Sequence, residues 1–70
     1  MKKSIGAYIR ICREQRGLTR KELGIMCGYS PGSGAESTVC AWEADKQLVP
    51  TKRLRAVARA LGVPIDTLVP

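Results

Sequence analysis

The 70-residue sequence contains no histidine, and its three cysteines form no Cys-x-x-Cys pair. A zinc site would therefore lack its fourth protein ligand, and a disulfide framework would leave one thiol over. No nucleophile–base pair is visible either, so we expect no enzyme, no metal and no cofactor. The cysteines are better explained as thiols in a reducing cytoplasm, with Cys12 and Cys27 in the core and Cys40 exposed.

Long apolar runs are also missing, so no segment is predicted to cross a membrane. Lys2 and Lys3 make the first residues basic, but Arg10 and Arg13 interrupt the segment after them, which is not the pattern of a signal peptide. The basic residues are spread over several faces, which argues against a helix lying on a membrane surface. We therefore expect a cytoplasmic protein with no membrane partner.

Acidic residues are few: six Asp and Glu stand against twelve Lys and Arg, giving a net charge of +6. Such an excess favours a polyanionic partner, although a basic surface without one fits the charge equally well. The apolar content of 44% is ordinary for a folded protein. Residues 1–70 are therefore predicted to form one domain with a modest core.

The first predicted helix covers residues 4–16. Ser4 is a plausible N-cap, and Ile5, Ile9 and Cys12 fall on one face at spacings of four and three residues. Gly17 is expected to end this helix in a left-handed conformation.

The second predicted helix starts at Thr19, which forms a capping box with Glu22 three residues later. Gly24 in mid-helix costs about 1 kcal/mol relative to alanine, which indicates the close approach of another helix. The predicted buried face consists of Leu23, Met26 and Cys27.

Three further helical segments come after a loop over residues 29–35 that is rich in Gly, Ser and Pro. The third helix is predicted from about residue 35 to 44, with Val39 and Trp42 facing inward. The fourth runs to about Leu61, with Thr51 as its expected cap, and residues 63–69 form a last helix of one or two turns. The predicted fold is therefore all-α, a compact bundle of five short helices that contains a helix-turn-helix.

In order and spacing, these elements resemble the Cro/repressor-type helix-turn-helix family of phage and bacterial regulators, the lambda repressor-like or XRE family. The matching residues are Ile9-Arg10, Arg13, Gly17-Leu18-Thr19, Glu22-Leu23, Gly28, Thr38-Val39, Trp42-Glu43, Arg59-Ala60-Leu61-Gly62-Val63 and Asp66-Thr67-Leu68. The resemblance covers nearly the whole chain. It implies sequence-specific binding to double-stranded DNA, most often as a repressor, and an anti-CRISPR-associated autorepressor suits the length and charge.

Two departures from that family stand out. The connection between the second and third helices is longer than the family's compact turn by about five residues. Arg20 occupies a position that is usually glutamine. The longer connection leaves the angle between the two helices open, and residues 30–35 are predicted to be the most mobile internal segment.

The resemblance implies a DNA surface of three parts. Arg20 and Lys21 begin the second helix, where a nearby phosphate would offset their unfavourable interaction with the helix dipole. Four residues around the next loop are candidate phosphate contacts, namely Lys46, Gln47, Lys52 and Arg53. Base edges would be read from the outward face of the third helix, which is made by Glu36, Ser37, Cys40 and Ala41 with Thr38 beside them.

That outward face contains no Lys or Arg, so a bidentate arginine contact to guanine is not available from it. For the basic positions the alternative is an ordinary charged surface. For Glu36 it is an acid that stabilises the first turn of a helix with no DNA involved.

The remaining assignments concern architecture and assembly. The resemblance implies an ion pair between Arg13 and Glu43 that joins the first helix to the end of the third, and Trp42 is predicted to be core. An apolar surface made by Ile65, Leu68 and Val69 predicts a homodimer. Its two recognition helices would lie about 34 Å apart on an inverted-repeat operator.

The chain ends soon after the last helix, so we expect no effector domain and no small-molecule ligand, with control by concentration and dimerisation. The competing hypothesis is an antitoxin-type interaction module whose main partner is a protein. Such a module would show an apolar partner-binding patch and weak DNA affinity.

Overall fold

The computed structural model describes residues 4–32 and 34–69, and this part of the chain folds into four α-helices and one 3₁₀ turn. The elements are α1 (Ile5–Gln15), α2 (Arg20–Met26), α3 (Ala35–Glu43), α4 (Thr51–Leu61) and the 3₁₀ turn (Ile65–Leu68). Within the described segments there is no strand, only an isolated bridge between Ser30 and Gly34. The all-α prediction is confirmed, and the expected fifth helix is a single 3₁₀ turn.

Residues 1–3, Ser33 and Pro70 lie outside the described residues. The prediction about the basic start of the chain and part of the loop prediction fall on them. In the described ranges, no helix is long and apolar enough to span a bilayer.

The ends of α1 and α2 follow local sequence signals. The Ser4 hydroxyl accepts a hydrogen bond from the N–H of Ala7 at 2.9 Å, and Gly17 leaves the helix with φ +69°. At α2 the capping box is complete. The Glu22 N–H donates to Thr19 Oγ1 at 3.0 Å, and the Thr19 N–H donates to Glu22 Oε1 at 2.7 Å.

The start of α4 differs from the prediction, because Thr51 is the first helical residue and not the cap. Pro50 takes the cap position with φ −59° and ψ 143°, and no side chain caps this helix. The Pro50 carbonyl accepts hydrogen bonds from the N–H groups of Arg53 at 2.8 Å and Leu54 at 3.1 Å. The proline ring fixes φ at a value that suits entry into the helix, but it supplies no side-chain acceptor for the first N–H groups.

The core lies where the four α-helices meet around Trp42, which is 1% exposed. The predicted core positions of Cys12, Cys27 and Trp42 are confirmed. The largest side chains around the indole are Ile9, Leu23, Val39, Val57, Leu61 and Leu68.

Two predicted positions are wrong. Met26 is 52% exposed, because it is the last residue of a short α2 and points toward the polar surface of α4, where it lines a groove with Lys52 and Arg55. Leu68 is 2% exposed, because the 3₁₀ turn folds its side chain back into the core. Leu68 is therefore not available to the predicted dimer surface, whereas Ile65 and Val69 are each 44% exposed.

Candidate nucleic-acid interface

The crossing of α2 and α3 is set by backbone contact. A methyl group built on Gly24 would lie 2.7 Å from Cα of Ala35 and closer still to its carbonyl oxygen. Ala35 is the first residue of α3 and is fully buried. The mid-helix glycine predicted to mark a close approach therefore lets the start of α3 pack directly on α2.

The eight residues 27–34 between α2 and α3 are attached to the core at their beginning. The Tyr29 ring packs edge-on against Trp42, with ring centroids 5.8 Å apart. The Arg53 guanidinium lies over the Tyr29 ring at 4.7 Å, and its Nη1 donates to the Cys27 carbonyl at 3.1 Å. Ala35, placed by the prediction in a mobile segment of residues 30–35, is instead a buried helical residue, and Ser33 lies outside the described residues.

The outward face of α3 has the exposure that a groove-binding helix needs. Glu36, Ser37 and Cys40 are exposed, and Thr38 and Ala41 are half-buried at its edges. Val39 and Trp42 are turned into the core. The short and polar side chains of this face leave it unobstructed, so α3 can approach a flat or grooved partner closely.

A buried carboxylate joins three elements at the end of α3. Glu43 Oε2 accepts a hydrogen bond from Arg13 Nε of α1 at 2.6 Å, and Glu43 Oε1 accepts one from Arg20 Nε of α2 at 3.0 Å. Arg13 also donates to the Leu18 carbonyl at 2.7 Å. The side chain of Glu43 is only 4% exposed, and Arg13 is its buried partner, so removing Arg13 would leave this buried carboxylate with the half-exposed Arg20 as its remaining cation.

Arg20 is the exposed member of this cluster, with 40% of its side chain accessible. Glu43 raises the pKa of Arg20 through its hydrogen bond and its charge, and Cys40 and Glu36 add smaller contributions in the same direction. The hydrogen bond to Glu43 places the Arg20 guanidinium against the last residue of α3, although Arg20 belongs to α2.

Residues 4–69 match the model of a protein family described as a helix-turn-helix domain. The chain belongs to this family. Its helix-turn-helix consists of α2, residues 27–34 and α3. Membership in this family supports a DNA-binding regulator of the helix-turn-helix type. Among curated proteins and solved structures, none matches it at a significant level.

Around this helix-turn-helix the predicted phosphate-binding residues fall into two groups. Lys21, Lys46, Gln47 and Lys52 have exposed side chains. Arg53 is half-buried and is already engaged by the Cys27 carbonyl and the Tyr29 ring, so it supports the connection between the two helices. Burial raises the pKa of the neighbouring Cys27 thiol to about 11, an effect that Arg53 partly opposes.

Sequence reasoning missed Asp45, which adopts the left-handed φ of 59° directly after α3. Its Oδ1 accepts a hydrogen bond from the Gly6 N–H at 3.0 Å and so attaches the end of α3 to α1. An aspartate just past a helix is a usable signal, because Asp tolerates this conformation better than most residues.

The sequence analysis also did not predict a group of basic residues on α4. Arg55 and Arg59 extend the basic surface of Lys52 along α4, at spacings of three and four residues. Together with Met26 they line an open groove of about 430 Å³ between α2 and α4.

Proposed function

We propose that this helix-turn-helix protein is a sequence-specific repressor of the Cro/repressor type that binds double-stranded DNA as a homodimer and has no enzymatic activity. The observation that supports this proposal best is the polar, unobstructed outward face of α3 beside the start of α2, in a chain of net charge +6. The small size of the protein and its resemblance to the Cro/repressor family suit the regulator of a phage or mobile-element operon, including an anti-CRISPR-associated autorepressor. It would act in the cytoplasm. Residues 1–70 would act as a single DNA-binding domain.

The proposed DNA contacts are of two kinds: contacts to phosphates, which position the protein, and contacts to base edges, which recognise the sequence. Exposed side chains at the start of α2 and after α3 would bind phosphates, namely Lys21, Lys46, Gln47 and Lys52. The outward face of α3 would enter the major groove. There Ser37 can pair with several base edges, Glu36 can accept from a cytosine amine, and Ala41 can contact a thymine methyl. Thr38 and Cys40 would complete this surface.

The proposed dimer uses the C-terminal side of the molecule. Ile65 and Val69 are each 44% exposed there, and Leu48 is 70% exposed. Val69 and Leu48 border a cavity of about 180 Å³ whose wall includes Ile5 and Leu54. A second copy would cover these side chains and place two recognition helices about one turn of DNA apart.

The alternative is an antitoxin-type interaction module. Ile25 and Met26 on α2 are 43% and 52% exposed, and Met26 borders the basic groove with Arg55 and Arg59. Met26 beside the cations Lys52, Arg55 and Arg59 would suit an acidic protein partner with an apolar contact. In this case DNA affinity would be weak, and variants in this groove would affect partner binding but not operator binding.

Selection of bound sites from random duplex DNA tests the proposal. An imperfect inverted repeat is expected, together with a dimer in sedimentation. The free thiol of exposed Cys40 should react with maleimide in the unbound protein and be protected by the selected DNA but not by random DNA. Failure to enrich any sequence would reject specific binding. A monomer at high micromolar concentration that occupies single half-sites would reject the dimer alone. A reporter gene under the selected site should be repressed by the protein.

A further inference from the structure

The outward face of α3 lacks the side chain most used to recognise guanine. Its five residues offer one carboxylate, two hydroxyls, a thiol and a methyl group, and none is a cation. Bidentate hydrogen bonds from arginine to O6 and N7 of guanine are the commonest specific contact in the major groove. If the chain makes this contact next to α3, another element must supply the arginine.

Arg20 lies where that arginine is needed. It is the first residue of α2, and its Nε is 3.0 Å from Glu43 Oε1 at the end of α3. Glu43 comes seven residues after Glu36 and three after Cys40, so by helical spacing it lies on the same side of α3 as these two outward-facing residues. The Arg20 side chain is 40% exposed, and among the described residues none accepts a hydrogen bond from its two Nη atoms.

The hydrogen bond to Glu43 also determines how the guanidinium can be used. With Nε occupied, the edge formed by Nη1 and Nη2 is the one left for a partner, and it presents two parallel donors in a plane. Glu43 is itself held by Arg13 at 2.6 Å, so the carboxylate cannot turn away when DNA approaches. A side chain ordered before binding loses less conformational freedom on binding, which favours a specific contact.

We propose that Arg20 reads a guanine in the major groove through Nη1 and Nη2, and that Glu43 is the residue that positions it. The proposal rests on the proposed function, in which α3 enters that groove. It assigns Arg20 to base recognition, whereas the sequence alone assigns it to a phosphate. A phosphate contact needs only a positive charge, whereas a contact to O6 and N7 depends on how the donors are arranged, and the planar pair of the guanidinium matches that edge.

The test compares sites selected from random duplex DNA by the wild type, Arg20→Lys and Arg20→Gln. The wild-type site should contain one guanine per half-site that Arg20→Gln fails to select and Arg20→Lys selects less strongly. Replacing that guanine should weaken wild-type binding by about 10-fold to 100-fold and binding of Arg20→Gln by less than about 3-fold. Lys21→Ala is the matched control. It should lower the salt slope by about one unit and leave the base preference unchanged.

The positioning role of Glu43 has its own readouts. Glu43→Gln should keep the guanine but reduce its discrimination several-fold, provided that the fluorescence of Trp42, the sole tryptophan, shows a folded variant. If that variant does not fold, the positioning role can still be tested on the wild type. NMR should show that the Arg20 Nε–H exchanges slowly with solvent before DNA is added. Rapid exchange would overturn the positioning role.

The outcomes separate the two proposals. If the wild type enriches no sequence, the proposed function and this inference fail together. If it enriches a site whose guanine preference survives in Arg20→Gln, only the inference fails. A uniform loss on all DNA with a reduced salt slope in Arg20→Gln would identify Arg20 as a phosphate contact and would also overturn it.

Discussion

The carboxylate of Asp45 accepts a hydrogen bond from the backbone N–H of Gly6 at 3.0 Å, which ties the end of α3 to the first turn of α1. At the other end of α3, the backbone of Ala35 packs on Gly24. Helix α3 is therefore held at both ends by contacts that involve neither its outward face nor the residues proposed to bind DNA.

Replacement of Asp45 should show how much its hydrogen bond and its left-handed conformation contribute. Asp45→Asn retains an acceptor and tolerates φ 59°, so the free energy of unfolding should fall by less than about 0.5 kcal/mol. Asp45→Ala loses the acceptor and strains the backbone, so a fall of about 1–3 kcal/mol is expected. Urea unfolding followed by Trp42 fluorescence measures both. Equal effects of the two substitutions would contradict this role.

Gly24→Ala should destabilise the protein, although alanine favours helices by about 1 kcal/mol relative to glycine. The new methyl group would meet the Ala35 backbone, which cannot move without shifting α3, so a loss of about 1–3 kcal/mol is expected. Gly32→Ala is the control, since nothing lies within 4 Å of a methyl group there. If Gly24→Ala stabilises the protein in thermal unfolding, the close approach is not tight.

Lys52→Ala and Arg53→Ala should differ, although the sequence assigns both to phosphates. Lys52 is exposed, so its loss should weaken operator and random DNA about equally, reduce the salt slope by about one unit and leave stability unchanged. Arg53 holds the Cys27 carbonyl and the Tyr29 ring, so its loss should cost about 1–2 kcal/mol of stability. Salt titrations and urea unfolding of the two variants distinguish these effects.

Glu36→Ala tests whether Glu36 contacts a base or is only a negative charge that stabilises the first turn of α3. If Glu36 accepts from a cytosine amine, its removal should strengthen binding to random DNA and cost about 1–3 kcal/mol of operator preference. Competition between operator and random duplexes measures the ratio, with Ser37→Ala as the uncharged comparison. An equal gain in affinity for every sequence would show that Glu36 reads no base.

Stability should fall in alkali because of Cys27. Burial raises the pKa of its thiol from 9.0 to about 11, so between these values the unfolded chain releases a proton that the folded protein retains. The free energy of unfolding should therefore decrease by about 2 kcal/mol as pH rises from 9 to 11. Cys27→Ala should be less stable at pH 7 but should lose this part of the decrease. Parallel slopes for wild type and variant would exclude the thiol as the cause.

The sequence predicted those features that depend on neighbouring residues. The Ser4 cap, the Thr19–Glu22 capping box and the glycine that ends α1 are local, so they could be found without a fold. Gly24 was interpretable because a glycine in mid-helix has a known cost.

The wrong predictions concern residues whose exposure or partners depend on elements that are distant in the sequence. Met26 and Leu68 were assigned from helical spacing, but their exposure depends on where α4 and the 3₁₀ turn pack. The hydrogen bond between Arg20 and Glu43 spans 23 positions in the sequence, and no local pattern signals it. The exposed Leu48 lies in a connection that the periodicity of helices does not describe.

The contact between Gly24 and Ala35 also affects how relatives of this chain are recognised. Since it packs α3 directly on α2, we expect the crossing of these helices to depend little on the length of residues 30–34. A pattern that requires a turn of three or four residues would start the recognition helix at about residue 30 or 31. It would then attribute base contacts to the wrong positions by more than a helical turn. Genome surveys should therefore align the two helices as separate blocks with a variable gap.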